Sequence, residues 1–163
     1  MGSIPIQAAA LAALIVLAAP TSAHEPSGAK GHQSVLPVSA HGAAATVDAF
    51  HAALARGDAR SAGALLANDA VIFEEGGSER SKAEYLANHL PADAAFSKVV
   101  ASSTKRRTGG ANGAIAWVAS EGRMSGNYKG KAVDRVTTET MLLRRTGRNW
   151  RIVHIHWSSG AAS

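Results

Sequence analysis

The helical and strand-like patterns of this chain are segregated, with helical patterns before Pro91 and strand patterns after it. Four segments beyond Pro91 are rich in Val, Ile, Thr and Trp and are separated by turns that contain Gly and Asn; they cover residues 96–107, 114–124, 132–145 and 149–158. Such runs, bounded by turn residues, predict antiparallel strands. Helices followed by consecutive strands predict an α+β domain with the helices on one face of the sheet.

Three helical signals precede these strands. The first is an apolar face at the spacing of a helix that ends at Gly57, formed by Val47, Phe50 and Leu54. Asp58 can cap a second, short helix. Ser81 and Glu84 form a capping box that opens a third helix, which stops before Pro91. A short strand is predicted at residues 70–74, so one longer helix and two short ones accompany the sheet.

An apolar run at residues 8–19 dominates the N-terminal segment. The run is too short to span a bilayer, which needs roughly 20 residues, but it fits the apolar region of a secretory signal. Pro20 ends it, and small residues follow up to Ala23. We predict a signal peptide at residues 1–23 and export to a periplasm or secretion. A retained N-terminal anchor or extension is the alternative, since the terminal amine is the only positive charge ahead of the run.

The mature chain is predicted to have one domain. Residues 24–42 mix Pro, Gly, Ser and His without periodicity and indicate a flexible lead-in. The domain is expected at residues 43–160, with residues 161–163 as a tail. No other apolar stretch approaches spanning length, so no stable membrane insertion is expected after signal cleavage.

The composition excludes several function classes. The chain has no Cys, which excludes disulfides, a thiolate nucleophile and Cys-based metal sites. The formal net charge is +5, but the basic residues are scattered through strands and turns and the aromatic residues are few. We therefore expect no nucleic-acid partner. A basic sheet face or cavity that attracts an anion is one interpretation of the charge, and an ordinary solvated surface is the other.

Three segments resemble a known superfamily. They are the helical pair and strand entry at residues 50–73, the Gly76–Gly77 turn before the helix at Ser81, and the ending at residues 150–160. Together they resemble the nuclear transport factor 2-like superfamily, in particular its SnoaL-like branch. The ending is similar to the association (hub) domain of calcium/calmodulin-dependent protein kinase II. The resemblance implies a cone-shaped, curved antiparallel sheet wrapped around a long N-terminal helix, a conical cavity, and a homodimer or larger ring.

Ketosteroid isomerase is the best-known catalytic member of this superfamily, and its site can be compared by position. The resemblance places its carboxylate base at Glu74, its tyrosine at Phe50 and its second hydrogen-bond donor near Met141. Phe50 and Met141 cannot donate the hydrogen bonds that would stabilise an enolate oxygen. Steroid isomerase activity is therefore not expected, whereas proton transfer by Glu74 alone stays open.

The last predicted strand carries a His-x-His pair, His154 and His156. Strict alternation places both on one face, together with Ile152. Two imidazoles at this spacing can ligate a metal, but no third ligand is evident, so no metal site is predicted. Polar contacts in a pocket or at an interface, and ordinary sheet histidines, are the two other interpretations.

Charged side chains lie in the middle of two neighbouring strands, where burial of an unpaired charge is costly. Trp117 and Arg123 share one face of their strand, and Arg135 and Glu139 share one face of the next. If these faces line the cavity, they and the two histidines form a polar lining that could hold a carboxylate-bearing ligand. Alternatively, Glu139 pairs with an Arg of a neighbouring strand and binds nothing.

Three functions follow from the sequence. The first is binding of a small polar or anionic organic ligand in the cavity, with self-association and no required cofactor. The second is an acid–base enzyme with Glu74 as base, and the third is a pure oligomerisation scaffold with a plugged cavity. Cleavage after Ala23 would also expose His24, whose amine and imidazole could chelate copper.

Overall fold

The computed structural model describes residues 36–162. The predicted signal peptide, most of the lead-in and the candidate copper ligand His24 lie outside the described residues. The helices are α1 (His41–Ala55), α2 (Ala59–Ala64), α3 (Lys82–Asn88) and α4 (Leu90–Ser97). The strands are β1 (Leu66–Glu74), β2 (Gly77–Glu79), β3 (Val100–Asn112), β4 (Ile115–Tyr128), β5 (Lys131–Thr146) and β6 (Asn149–Ala161). A 3-10 turn at Val38–Ala40 leads into α1.

The six strands form one curved, open sheet in the order β2-β1-β6-β5-β4-β3. This confirms the predicted α+β class and a sheet packed against the N-terminal helix. Neighbouring strands are antiparallel with one exception, because β1 runs parallel to β6. Two helices and four strands separate β1 from β6 along the chain, and a pairing so distant in sequence leaves no local signal.

The core lies between α1 and the concave face of the sheet. The predicted apolar face of α1 is buried, with Phe50 fully inaccessible. It shares one cluster with buried side chains of β5 and β6, namely Met141, Leu143, Ile152 and Ile155. Each such side chain contributes about 1.5–3 kcal/mol when it leaves water. This packing holds α1 against the sheet and so fixes one wall of the cavity described below.

The helix caps predicted at Asp58 and Ser81 form in the structure. The Asp58 carboxylate accepts a hydrogen bond from the Ser61 backbone N–H at 2.9 Å. Ser81 Oγ accepts from the Glu84 backbone N–H at 3.1 Å, and Glu84 Oε2 accepts from the Arg80 backbone N–H at 2.7 Å. These bonds satisfy amide groups that the first turn of a helix otherwise leaves unpaired.

The sequence predicted that the helical half of the chain ends at Pro91, but a helix continues beyond this residue. It lies in the first turn of the extra helix α4, where a missing N–H costs no hydrogen bond. Phe96 is therefore helical, and β3 begins only at Val100. The strands are also longer than predicted. Gly109 lies inside β3, where an added Cβ would sit 2.7 Å from the Trp117 carbonyl oxygen, so this glycine permits close strand approach rather than a turn.

The pairing of β5 with β6 contains an irregularity. Leu143 pairs with Ile152, but Leu142 pairs with His154, which leaves Val153 without an opposite residue. An extra residue in one strand reverses the inward and outward alternation beyond it. Ile152 and Ile155 are accordingly both buried, although strict alternation would place them on opposite faces.

Candidate functional site

A cavity of about 440 Å³ opens between α1, α4 and the concave face of the sheet. This volume falls within the range of small-molecule sites, roughly 300–1,000 Å³. Its charged and titratable lining residues are His51, Glu74, Glu75, Asp93, Arg135 and Glu139. Its large apolar and aromatic lining residues are Leu54, Phe96, Met124, Tyr128, Val133 and Trp157.

Glu74, Trp157 and Glu139 form one row across the sheet. Trp157 of β6 pairs in register with Glu74 of β1 on one side and with Glu139 of β5 on the other. Two steps of the strand spacing place the two glutamate Cα atoms about 10 Å apart. All three residues line the cavity, so two carboxyl groups flank one indole ring on its wall.

Glu74 has the electrostatics of a carboxyl group that titrates near neutrality. Burial raises its pKa from the ordinary 4.5 to about 7, and the nearby carboxyl groups of Asp93 and Glu75 add to the rise. A carboxylate without a cationic partner is penalised by desolvation and by like charge. Both the acid and the base form of Glu74 are therefore accessible at neutral pH.

Asp93 and Tyr85 support this end of the cavity. Tyr85 Oη donates a hydrogen bond to Asp93 Oδ2 at 2.6 Å. Burial raises the pKa of Asp93, although the Tyr85 hydrogen bond and the charge of His89 act in the opposite direction. Burial, followed by the charge of Asp93, also raises the pKa of Tyr85. The group around Glu74 thus carries less negative charge than its residue types suggest.

Glu139 has the opposite environment. It is 8% exposed, and its Oε2 accepts from Trp157 Nε1 at 2.8 Å and lies 2.7 Å from His51 Nε2. Burial alone would raise the pKa of Glu139, but the hydrogen bond and charge of His51, with smaller contributions from Trp157 and Arg107, lower it overall. Among the described residues, Glu139 Oε1 is the buried side-chain polar atom without a hydrogen-bond partner.

Arg135 of β5 also lines the cavity and is held by Ser159 of β6. Its Nε donates to Ser159 Oγ at 2.8 Å and its Nη2 donates to the Ser159 carbonyl at 3.1 Å. Glu75 Oε1 lies 4.0 Å from the same guanidinium group. Four carboxyl groups therefore face one arginine and one histidine in this cavity. The lining suits an uncharged polar ligand better than the carboxylate-bearing one that the sequence suggested.

The predicted lining is corrected at Trp117 and Arg123. Trp117 pairs with Leu142 and is 41% exposed on the outer face, whereas Glu139 pairs with Ser120 on the inner face. Arg123 Nε donates to Asp134 Oδ1 at 2.6 Å, at an exposed position that does not line the cavity. The prediction assumed that Trp117 and Glu139 lie on the same face of the sheet. The register of β4 with β5 differs from that assumption by one residue, so the two side chains lie on opposite faces.

His154 and His156 are also on the outer face, contrary to strict alternation. The irregularity at Val153 turns them outward, and both imidazoles contact the ring of Phe73, at centroid distances of 5.2 and 6.4 Å. His154 Nδ1 lies 2.9 Å from the Val71 carbonyl oxygen. They therefore belong to a surface opposite the cavity. Within the described part of the chain, no cluster of three or more His, Cys, Asp or Glu residues is arranged to hold a metal.

Sequence reasoning missed His51 and Asp93. His51 follows Phe50, the position that the resemblance compared with a catalytic tyrosine, and it lies four residues after Val47 on the predicted inner face of α1. The spacing of four residues from Val47 was the sequence pattern that could have placed His51 on the inner face of α1. Phe50 itself is buried, and its ring stacks on Trp157 at a centroid distance of 6.2 Å. Asp93 was missed because the helix that carries it was not predicted.

Comparisons with known proteins agree with this architecture. Residues 43–162 match the family model described as the SnoaL-like domain, and the chain belongs to this family within the nuclear transport factor 2-like superfamily. No curated protein sequence matches the chain. Within residues 36–162, no helix has the length and apolar character that crossing a membrane requires.

Solved structures are similar over most of the chain. A proposed ketosteroid isomerase from Shewanella frigidimarina is 35% identical, with a TM-score of 0.71 over 76% of this chain and 100% of that one. A proposed calcium/calmodulin-dependent protein kinase II association domain from Xanthomonas campestris is 21% identical, with a TM-score of 0.65 over 82% and 97%. A proposed dehydratase from Streptomyces avermitilis is 17% identical, with a TM-score of 0.66 over 76% and 97%. The last two establish the fold alone.

Proposed function

We propose that this chain binds a small, uncharged polar organic molecule in its cavity and transfers a proton on that molecule through Glu74. The observation that carries the proposal is a partly buried Glu74 on the cavity wall with a pKa raised to about 7. General acid–base catalysis is most efficient when the pKa of the catalytic group lies near the working pH. A raised carboxyl pKa in a cleft is also a recognised mark of functional sites.

The open cavity distinguishes this proposal from the scaffold alternative. A pure oligomerisation domain was expected to fill its cavity with side chains, whereas about 440 Å³ is open here. The Shewanella frigidimarina relative, named as a proposed isomerase, supports proton-transfer chemistry in this branch. Steroid isomerisation itself is not proposed, since Phe50 and Met141 are buried and cannot donate a hydrogen bond.

The experiment uses 5-nitrobenzisoxazole, an uncharged probe that opens to a coloured phenolate when a base removes its ring C–H proton. We expect saturable opening by the wild-type protein, with a rate that rises with pH and is half-maximal near the Glu74 pKa of about 7. Glu74→Gln should lower this rate about 100-fold or more. Glu121→Gln removes an exposed carboxyl group of β4 and should leave the rate unchanged. Equal rates for wild type and Glu74→Gln would overturn the proposal.

We further propose that two copies of the chain associate through the outer face of the sheet. Large apolar side chains are exposed on this face, namely Phe73, Ile115, Trp117, Val136 and Leu142. An exposed apolar patch on one sheet face is typical of an interaction surface. The Xanthomonas campestris relative, named as an association domain, is consistent with self-assembly of this fold.

We also propose that the chain is exported and cleaved after Ala23, on the apolar run and small residues of its N-terminal sequence. Intact-mass measurement of the protein from its native host tests this, since a mature chain should begin at His24. A mass that retains residues 1–23 would contradict it.

A further inference from the structure

The hairpin that joins β5 to β6 carries a dense group of positive charges, which comes from four arginines: Arg144, Arg145, Arg148 and Arg151. We call residues 144–151 the basic tip. Gly147, with a φ of 62°, and Arg148 are the two central residues of the turn, so Arg148 lies at its apex. Residues 144–149 are all exposed. The basic tip is therefore open to a partner outside the fold.

Little negative charge opposes the basic tip. Arg144 Nη2 donates to Asp69 Oδ1 at 2.8 Å. Within residues 36–162, the other three arginines of the tip form no ion pair. The segments that pack beside the tip, residues 36–47 and 108–119, contain no Asp or Glu. This end of the domain thus presents a concentrated positive potential.

The placement of these arginines works against the stability of the hairpin. Arg144 and Arg151 are direct partners in the register of β5 with β6. Like charges opposite each other on neighbouring strands are destabilising. Arg145 lies over the ring of its own register partner, Trp150, at 5.6 Å from the centroid, which orients the guanidinium group but leaves its charge in place. A local cost of this kind is expected where a surface serves an interaction.

Exposed apolar side chains accompany the charge. Ile115 is the register partner of Arg144 and is 52% exposed. Val38, in the 3-10 turn ahead of α1, is 82% exposed, and α1 begins against the tip, where a Cβ on Gly42 would lie 2.9 Å from Trp150 Nε1. Arginines beside exposed aliphatic side chains suit anionic lipid head groups that lie above acyl chains. Nucleic-acid phosphates would use the arginines but not the aliphatic side chains.

We propose that the basic tip binds the surface of a bilayer that contains anionic phospholipids. The lipid phosphates pair with the three arginines that lack an ion pair, and Val38 enters the head-group region. The part of β5 that lines the cavity, residues 133–139, precedes the tip along the strand, so docking of the tip leaves the cavity free. The inference does not depend on Glu74, and Glu74→Gln should bind vesicles as the wild type does.

Flotation with lipid vesicles tests the proposal on protein purified from its native host. One set of vesicles mixes phosphatidylglycerol with phosphatidylcholine, and the other contains phosphatidylcholine alone. We expect the wild type to bind the mixed vesicles about tenfold or more tightly than the uncharged ones. Raising the salt concentration from about 0.1 M to about 0.5 M should release the protein, because the attraction is screened.

The double variant Arg145→Gln/Arg148→Gln should weaken binding to the mixed vesicles about 25-fold, since each basic residue near an anionic surface contributes about fivefold. The matched control, Lys129→Gln/Lys131→Gln, removes the same charge from the hairpin at the other end of β5. It should change binding by less than about twofold, because charges far from the membrane surface are screened. Val38→Ser should weaken binding and leave its salt dependence in place.

Equal losses in the two double variants would overturn the inference, because binding would then follow net charge alone. Equal binding of the wild type to both sets of vesicles would also overturn it, as would unchanged binding of Arg145→Gln/Arg148→Gln. Tighter binding to a DNA duplex at the same phosphate concentration would assign the tip to a nucleic acid instead. Because Arg145 packs on Trp150, Arg148→Gln alone, at the exposed turn, provides a second variant with an expected loss of about fivefold.

Discussion

Glu74 and Glu139 lie in the same row of the sheet, one on each side of Trp157, yet their pKa values shift in opposite directions. Burial acts on both in the same sense, raising the pKa of each carboxyl group. Their neighbours make the difference. Glu74 has the carboxyl groups of Asp93 and Glu75 nearby, whereas Glu139 accepts a hydrogen bond from Trp157 Nε1 and lies 2.7 Å from His51 Nε2. The two glutamates of one cavity therefore differ in their affinity for a proton.

Stability should fall with rising pH because of Glu74. Its pKa is about 7 in the folded chain against an ordinary 4.5, so the folded state binds this proton more tightly than the unfolded state does. The free energy of unfolding therefore decreases as pH rises from about 4.5 to about 7. After allowance for solvent screening of a partly buried group, we expect a contribution on the order of 1–2 kcal/mol.

Urea unfolding of wild type and Glu74→Gln across this pH range measures the effect. The variant should gain stability relative to wild type as pH rises, and Glu121→Gln should keep the wild-type slope. A difference between Glu74→Gln and wild type that stays constant from pH 4.5 to pH 7 would show that the Glu74 pKa is not raised.

Trp157→Phe should destabilise the fold through Glu139. The variant keeps an aromatic ring beside Phe50 but removes the Nε1–H that Glu139 Oε2 accepts at 2.8 Å. Loss of a hydrogen bond to a buried charged group costs about 1–3 kcal/mol. Chemical denaturation measures the loss, with Trp117→Phe on the exposed outer face as the matched control. Equal effects of the two substitutions would contradict the account of Glu139.

Self-association should depend on the outer face of the sheet. Phe73→Lys or Leu142→Lys introduces a charge among the exposed apolar side chains and should convert a dimer into a monomer in sedimentation velocity. Val38→Lys, at an exposed apolar position outside the sheet, should leave the dimer intact. If the outer-face variants sediment as the wild type does, this surface is not the interface.

The capping box at α3 should contribute measurable stability. Ser81→Ala removes the acceptor of the Glu84 backbone N–H and should lower the free energy of unfolding by about 1 kcal/mol. Ser125→Ala, at an exposed strand position, is the matched control. Thermal unfolding of both variants provides the comparison, and an unchanged midpoint for Ser81→Ala would contradict the capping role.

Local patterns carried most of the fold prediction. The apolar face of α1, the caps at Asp58 and Ser81 and the strand-rich second half all depend on residues close in sequence, and each forms as predicted. The parallel pairing of β1 with β6 and the extra helix α4 were missed. The parallel pairing depends on contacts between residues that are distant in sequence. The helix α4 was missed because Pro91 was interpreted as a helix end, although proline is also compatible with the first turn of a helix.

The candidate site was harder to predict because it depends on strand register. One unopposed residue at Val153 is enough to turn His154 and His156 to the outer face. The offset between β4 and β5 likewise separates Trp117 from Glu139. The partner of Glu139, His51, comes from a helix 88 positions earlier in the chain, so no spacing argument within the strands could have found it.

The pKa of the Glu74 side chain is the quantity on which the account depends most directly. Titration of the carboxyl ¹³C resonances of glutamate-labelled protein measures it, with Glu74→Gln to assign the signal. The account predicts an inflection near pH 7 for Glu74 and one below its ordinary value for Glu139. An inflection of the Glu74 signal near its ordinary value of 4.5 would contradict the central claim that this cavity holds a carboxyl group ready to exchange a proton at neutral pH.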